Sequence, residues 1–195
     1  MRLEDFFEYV RGVRDLSSEM FIPSITEDEG FILYSIVYTY SVLRNERLLA
    51  IDAGAGIGYS TIWISKALID SGCSGCRVIA IEREEEYFRY LRSNLEKPLF
   101  KDLEFVFYNG DAVEYIKRLN NGPDIVFIDI DKHQYPVILE ILLEKIREGI
   151  IIFHNAIYPP PPRKIFKILD KNMIKYTIIP TVNGLLIAYT GKKTR

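Results

Sequence analysis

The stretch Asp52-Ala53-Gly54-Ala55-Gly56-Ile57-Gly58-Tyr59-Ser60 decides how the rest of the chain is read. A short apolar run, residues 48–53, leads into it, and residues 60–69 continue as a helix. Glycines between a strand and a helix permit a tight turn and let backbone N–H groups approach a ligand closely. Alone, such a loop is also an ordinary Gly-rich turn, so its meaning depends on what surrounds it.

Outward from this loop, strand, turn and helix alternate. Strands are predicted over 77–81, 103–108, 124–130 and 149–154, separated by helices over 84–95, 112–119 and 135–147. A helix over 164–170 and two strands, 175–180 and 185–190, close the pattern. Strands that are apolar on both faces and alternate with helices imply a parallel sheet covered on both sides. Right-handed crossovers then give a doubly wound α/β fold. The last two strands flank Asn183-Gly184, a hairpin signal, so the final strand is expected to run antiparallel. The fold class is thus α/β: a mostly parallel, seven-stranded, Rossmann-like sheet with an antiparallel C-terminal hairpin. On the N-terminal side, residues 3–15 read as an amphipathic helix. Thr26-Glu27-Asp28-Glu29 matches a capping box, opening a helix that runs to about Arg44. One domain over 1–195 is expected, with an N-terminal helical segment (1–45) and the Rossmann-like core (46–195).

Composition excludes several classes. The 195 residues carry 25 Lys+Arg against 27 Asp+Glu, a net charge of −2 that provides no basic field for duplex DNA. Two Cys and two His cannot build a four-ligand zinc site plus a second function. The N-terminal sequence has charges every two or three residues, unlike a signal peptide or a membrane span of about 20 apolar residues. A cytoplasmic protein without membrane partners is expected.

In an open α/β sheet, ligands lie beyond the carboxyl ends of the strands. The second core strand ends in Ile81-Glu82, and an acid at that tip can accept both hydroxyls of a ribose. The loop spacing is G-x-G-x-G, not G-x-G-x-x-G, and Asp52 precedes it. A carboxylate there would repel the pyrophosphate of NAD. It would suit the sulfonium and ammonium of S-adenosylmethionine.

These residues, with Ile79-Ala80-Ile81-Glu82, Asn109-Gly110-Asp111-Ala112 and the run from Asp124 through Asp129-Ile130-Asp131-Lys132-His133-Gln134-Tyr135, carry a family likeness. The sequence resembles class I S-adenosylmethionine-dependent methyltransferases of the catechol and caffeoyl-CoA O-methyltransferase-like family, from about Ile22 to Ala188. The resemblance implies S-adenosylmethionine as cofactor and O-methylation of a small hydroxylated acceptor. It implies a cofactor site from Asp52, Gly54, Gly56, Gly58, Ser60, Glu82, Gly110, Asp111, Ala112 and Asp129. Glu82 would take the ribose, Gly54 and Ser60 the methionine end, and Gly110-Asp111-Ala112 the adenine; Asp111 also reads as a helix N-cap. The segment around Ile25 and Thr26 packs over the cofactor in relatives, which are commonly homodimers. The apolar, aromatic stretch 31–42 is core or such a dimer face.

On the acceptor side the resemblance implies Asp129 and Lys132 as a metal carboxylate and a proton acceptor. The family then has Asp-Asn at the next strand tip, where this chain has His154-Asn155. Three readings of His154 are open: a ligand, with Asp129 and Asn155, of a modified divalent-metal site; a general base; or a hydrogen-bonded structural His. Asp131 reads as a loop carboxylate or salt-bridge partner, and His133 as a solvent-facing or capping residue. Tyr158 and the four prolines 159–162 form a stiff connection or a wall of the acceptor pocket. Cys73 and Cys76 read as unpaired surface cysteines or an incidental disulfide. Lys192-Lys193-Thr194-Arg195 reads as a solvated tail. Two rival functions are a tRNA or rRNA methyltransferase on the same scaffold, and a non-catalytic S-adenosylmethionine-binding protein.

Overall fold

A computed structural model describes residues 3–191; the basic tail at 192–195 lies outside them. Seven strands form one sheet: β1 (Leu49–Ala53), β2 (Arg77–Glu82), β3 (Glu104–Asn109), β4 (Ile125–Ile128), β5 (Gly149–Phe153), β6 (Lys175–Ile179) and β7 (Leu185–Thr190). Their order is β3-β2-β1-β4-β5-β7-β6. β1 to β5 pair in parallel, and β7 runs antiparallel to both β5 and β6. The direction of winding reverses at β1, between β2 and β4, which makes that point the natural ligand crevice.

Among the described residues, seven α-helices cover the sheet: α1 (Leu3–Glu19), α2 (Glu27–Arg44), α3 (Tyr59–Asp70), α4 (Glu85–Leu95), α5 (Ala112–Arg118), α6 (Tyr135–Lys145) and α7 (Lys164–Lys171). The strands alternate their side chains between two cores. Ala50 packs with Leu33, Ile62 and Leu91 on the face of α1 to α4. Ile51 and Ala53 pack with Ile116, Leu139 and Ile165 on the face of α5 to α7. α2 divides the aromatic stretch: Leu33, Val37 and Tyr40 are buried, while Phe31, Tyr38 and Val42 are exposed. Trp63 of α3 is buried edge-on against Phe6 and Phe31, which joins α1 and α2 to the core.

Two local expectations are corrected. α1 runs one turn further than residue 15, because Val13 and Ser17 continue its buried stripe. β4 stops at Ile128: its partner β1 ends at Ala53, opposite Ile128, so Asp129 to Asp131 have no ladder to continue. Of the two readings of Cys73 and Cys76, the structure shows the disulfide, with Cys76 buried. No described helix is long and apolar enough to cross a membrane.

Candidate active site

The register of the sheet builds the site. Ala53 pairs with Ile81 on one side and Ile128 on the other, and Ile128 pairs with Phe153. The next residue on each strand therefore falls in one row: Gly54, Glu82, Asp129 and His154. Backbone bonds fix the row, with Gly54 N–H donating to Ile81 O at 3.0 Å, Asp129 N–H to Ala53 O at 2.8 Å and His154 N–H to Ile128 O at 3.0 Å. The row floors a cavity of about 470 Å³, within the range of small-molecule sites.

At the nucleoside end, the loop after β1 needs its glycines. Gly54 has φ +89°, and a Cβ there would lie 2.1 Å from Asp129 O. Gly56 has φ +55°, and its N–H donates to Glu82 Oε2 at 2.7 Å. Glu84 N–H donates to Glu82 Oε1 at 2.8 Å. Burial raises the Glu82 pKa, and these backbone donors act against the rise. Gly110, Asp111 and Ala112 line the same end. Asp111 caps α5 through Glu114 N–H at 2.9 Å and accepts from Gln134 Nε2 at 3.0 Å. Burial would raise its pKa; these donors outweigh it and hold the carboxyl below its usual value.

Two of the expected cofactor residues lie behind the cavity wall. Asp52 points to the face of α3, fully buried. Its Oδ2 accepts from Ser60 Oγ at 2.7 Å and Thr61 Oγ1 at 2.5 Å at the helix N-terminus, where a negative charge is favoured. Burial raises its pKa to about 6, against the two hydroxyl donors. Gly58 opens α3 at φ +99°, and a Cβ there would meet Leu91 of α4 at 3.0 Å, so it serves helix packing. Ser60 borders a narrow recess beside the main cavity, shared with Ile25, Gly54 and Asp129.

At the opposite end, His154 is held from both sides. Nδ1 lies 2.9 Å from Asp129 Oδ2, and Nε2 lies 3.2 Å from Glu29 Oε2. Burial alone would lower the His154 pKa, but the two carboxylates outweigh it and raise the value to about 9. Burial would raise Glu29; hydrogen bonds from His154, Thr181 and Thr26 outweigh it and hold its carboxyl at about 2. Tyr135, buried beneath, donates towards Ile128 O and His154 O at 3.3 and 3.2 Å and braces the tips of β4 and β5. Lys132 Nζ donates to Asn155 Oδ1 at 3.0 Å, and Asn155 Nδ2 to Tyr158 O at 3.0 Å. Asn155 holds φ +54°, a conformation its short polar side chain tolerates.

Sequence reasoning did not place Glu29, Thr181, Arg83 or Gln134 in the site. Arg83 Nη1 meets Asp131 Oδ2 at 2.6 Å across the cavity mouth, with both residues among its lining. His133 is exposed and lines no part of the cavity. Pro159 lines the cavity, whereas Tyr158 is 72% exposed and does not. Among the described residues, no group of three or more His, Cys, Asp or Glu is placed to hold a metal ion.

A sheet of order β3-β2-β1-β4-β5-β7-β6 with an antiparallel β7, and a Gly-rich turn facing an acidic β2 tip, defines a class I methyltransferase-like nucleoside-binding fold. The chain belongs to the O-methyltransferase family, whose sequence signature matches residues 14–186. It is 30% identical over 146 residues to tapetum-specific methyltransferase 1 of Arabidopsis thaliana, covering 72% of this chain and 57% of that protein. It is 27% identical over 138 residues to a catechol O-methyltransferase of Niastella koreensis, covering 69% of this chain and 56% of that one. The chain thus spans little more than half the length of these curated relatives. Among solved structures, a methyltransferase from Geobacter sulfurreducens superposes with a TM-score of 0.77 at 21% identity, covering 95% of this chain and 89% of that one. An O-methyltransferase from Bacillus cereus in complex with SAH superposes at 0.75 and 22%, covering 94% and 90%.

Proposed function

We propose that this chain transfers the methyl group of S-adenosylmethionine to a hydroxyl oxygen of a small acceptor. The observation that carries the reading is the row Gly54, Glu82, Asp129 and His154 along one cavity floor. It sets a nucleoside cradle and an acceptor site side by side.

The residues present fit the cofactor. Gly54 and Gly56, both at positive φ, let the β1 turn pack against the Asp129 carbonyl and line the cavity with backbone. Glu82, fixed by Gly56 and Glu84 N–H, keeps lone pairs for the two ribose hydroxyls. Ala112 and the α5 N-terminus border the adenine end. Asp129 favours the cationic methionine end, and Asp52 reaches it only through Ser60 and the loop it supports. Bound there, S-adenosylmethionine supplies an electrophilic methyl group on a sulfonium.

The chain's task is then to align an oxygen and make it nucleophilic. Lys132 donates one hydrogen bond to Asn155 and has two donors left for an acceptor oxygen. An ammonium there stabilises the oxyanion that attacks. Attack by that oxygen would form the new C–O bond as the methyl C–S bond breaks, with the C–S electron pair left on sulfur and the hydroxyl proton passing to solvent water. Supplying methyl-labelled S-adenosylmethionine with a panel of phenolic, catecholic and aliphatic hydroxyl compounds tests this. Label transferred to an acceptor oxygen is expected. Transfer only to RNA, or binding without transfer to any compound, would overturn it.

A further inference from the structure

The divalent ion implied by the sequence resemblance does not fit the residues present. A metal ligand must offer a free lone pair. Both ring nitrogens of His154 face carboxylate oxygens, Asp129 Oδ2 at 2.9 Å and Glu29 Oε2 at 3.2 Å. Asn155 Oδ1 accepts from the Lys132 ammonium at 3.0 Å, so a metal ion there would approach a positive charge already in place. A neutral imidazole has one N–H, so one of its nitrogens would meet a carboxylate lone pair to lone pair. Only the doubly protonated ring donates to both.

We propose that the protonated His154 ring, bridged between Glu29 and Asp129, stands in the place of a divalent cation at the acceptor end of the cavity. Glu29 and His154 are then positioning residues, and the acceptor oxygen is left to Lys132. The inference rests on the O-methyl-transfer reading for the identity of that end of the cavity.

Glu29 is more than a helix cap. Its local task is to close the capping box of α2 by accepting from Thr26 N–H at 2.9 Å. A Gln performs that task equally well. The negative charge is needed only opposite a cation, and Glu29 is fully buried, where an unpaired carboxylate is strongly unfavourable. Thr181 Oγ1 satisfies the remaining oxygen at 2.6 Å. The bridge therefore ties α2, β4, β5 and the β6–β7 loop together around one positive charge. Asp129 Oδ2 is held by this charge.

The test uses the whole chain. Mn²⁺ is titrated in and followed by electron paramagnetic resonance, and the His154 ring protons are followed by ¹⁵N-edited NMR at neutral pH. The expected result is no stoichiometric Mn²⁺ uptake and two slowly exchanging ring protons. Stoichiometric Mn²⁺ uptake that broadens the His154 resonances would overturn the proposal. His154→Asp replaces the cation with a third carboxylate and is expected to bind one Mn²⁺ at least about tenfold more tightly than the parent. A His154→Asp protein that is folded by circular dichroism yet gains no Mn²⁺ affinity would also overturn it. Glu29→Gln retains the capping acceptor. It is expected to keep S-adenosylhomocysteine affinity, lose kcat with KM for S-adenosylmethionine unchanged, and lose one protected ring proton. Retention of both protons would contradict the bridge. S-adenosylhomocysteine binding to the parent is measured in parallel; its absence strikes at the functional reading alone, since the Mn²⁺ and ring-proton results do not depend on it.

Discussion

Glu29 Oε2 and His154 Nε2 lie 3.2 Å apart although 125 residues separate them in the chain. One belongs to the first turn of a helix outside the sheet, the other to the tip of a central strand. Their contact makes the placement of α2 a condition for the geometry of the acceptor site.

Stability should follow the protonation of this pair. His154 titrates at about 9 in the folded chain, above its usual value of 6.5. Its contribution is complete below about pH 6.5 and is lost as pH rises through 9. Glu29 titrates at about 2, below its usual 4.5, so its contribution is complete above about pH 4.5 and is lost as pH falls through 2. Both report largely the same interaction and do not add. The His154 value corresponds to roughly 3 kcal/mol as an upper bound. Thermal melts from pH 5 to 10 should show a fall in Tm between 6.5 and 9 that is absent in His154→Gln. An equal fall in the variant would refute the assignment.

Two glycines in helices should respond oppositely to alanine. Gly12, inside α1, has nothing within 4 Å of an added Cβ, so Gly12→Ala should stabilise by roughly 0.5–1 kcal/mol. At Gly30 of α2 the added Cβ would lie 2.3 Å from Trp63 Nε1, in a core packed by Phe6 and Phe31. Gly30→Ala should destabilise by about 1–3 kcal/mol, a fall in Tm of several degrees for a chain of this size. Calorimetric melts distinguish the two.

Lys132→Met should separate binding from chemistry. The substitution keeps the stem that packs in the cavity wall and removes the ammonium that bonds Asn155. Turnover is expected to fall by about 10²–10⁴-fold with S-adenosylhomocysteine affinity within a few-fold of the parent. Retained turnover would place the stabilisation of the attacking oxygen elsewhere.

The sheet and its nucleoside end were legible in the sequence because their signals are local. The Gly54-to-Gly58 turn, the Glu82 tip and the Asn183-Gly184 hairpin each state their geometry within a few residues. The acceptor end was less legible. Glu29 satisfied a complete local explanation as the third helical residue of a capping box, which hid its second partner. Thr181 and Gln134 contribute through pairings 152 and 23 residues away, set only by the sheet order. Adjacency to the glycine loop does not state where Asp52 and Gly58 point: strand alternation in β1 turns Asp52 to the α3 face, and Gly58 packs against α4. Cys76 lies immediately before β2 and is buried with it, which its Gly-rich neighbours did not reveal.

On the proposed reading, this cavity holds S-adenosylmethionine by its ribose at Glu82. Isothermal titration calorimetry of S-adenosylhomocysteine against the parent and Glu82→Ala tests it most directly. Two charge-assisted hydrogen bonds are removed, each worth about 1.5–3 kcal/mol. The expected result is binding by the parent and a loss of affinity of at least about a hundredfold in the variant. Equal affinity in the two proteins, or no binding by a folded parent, would contradict the account.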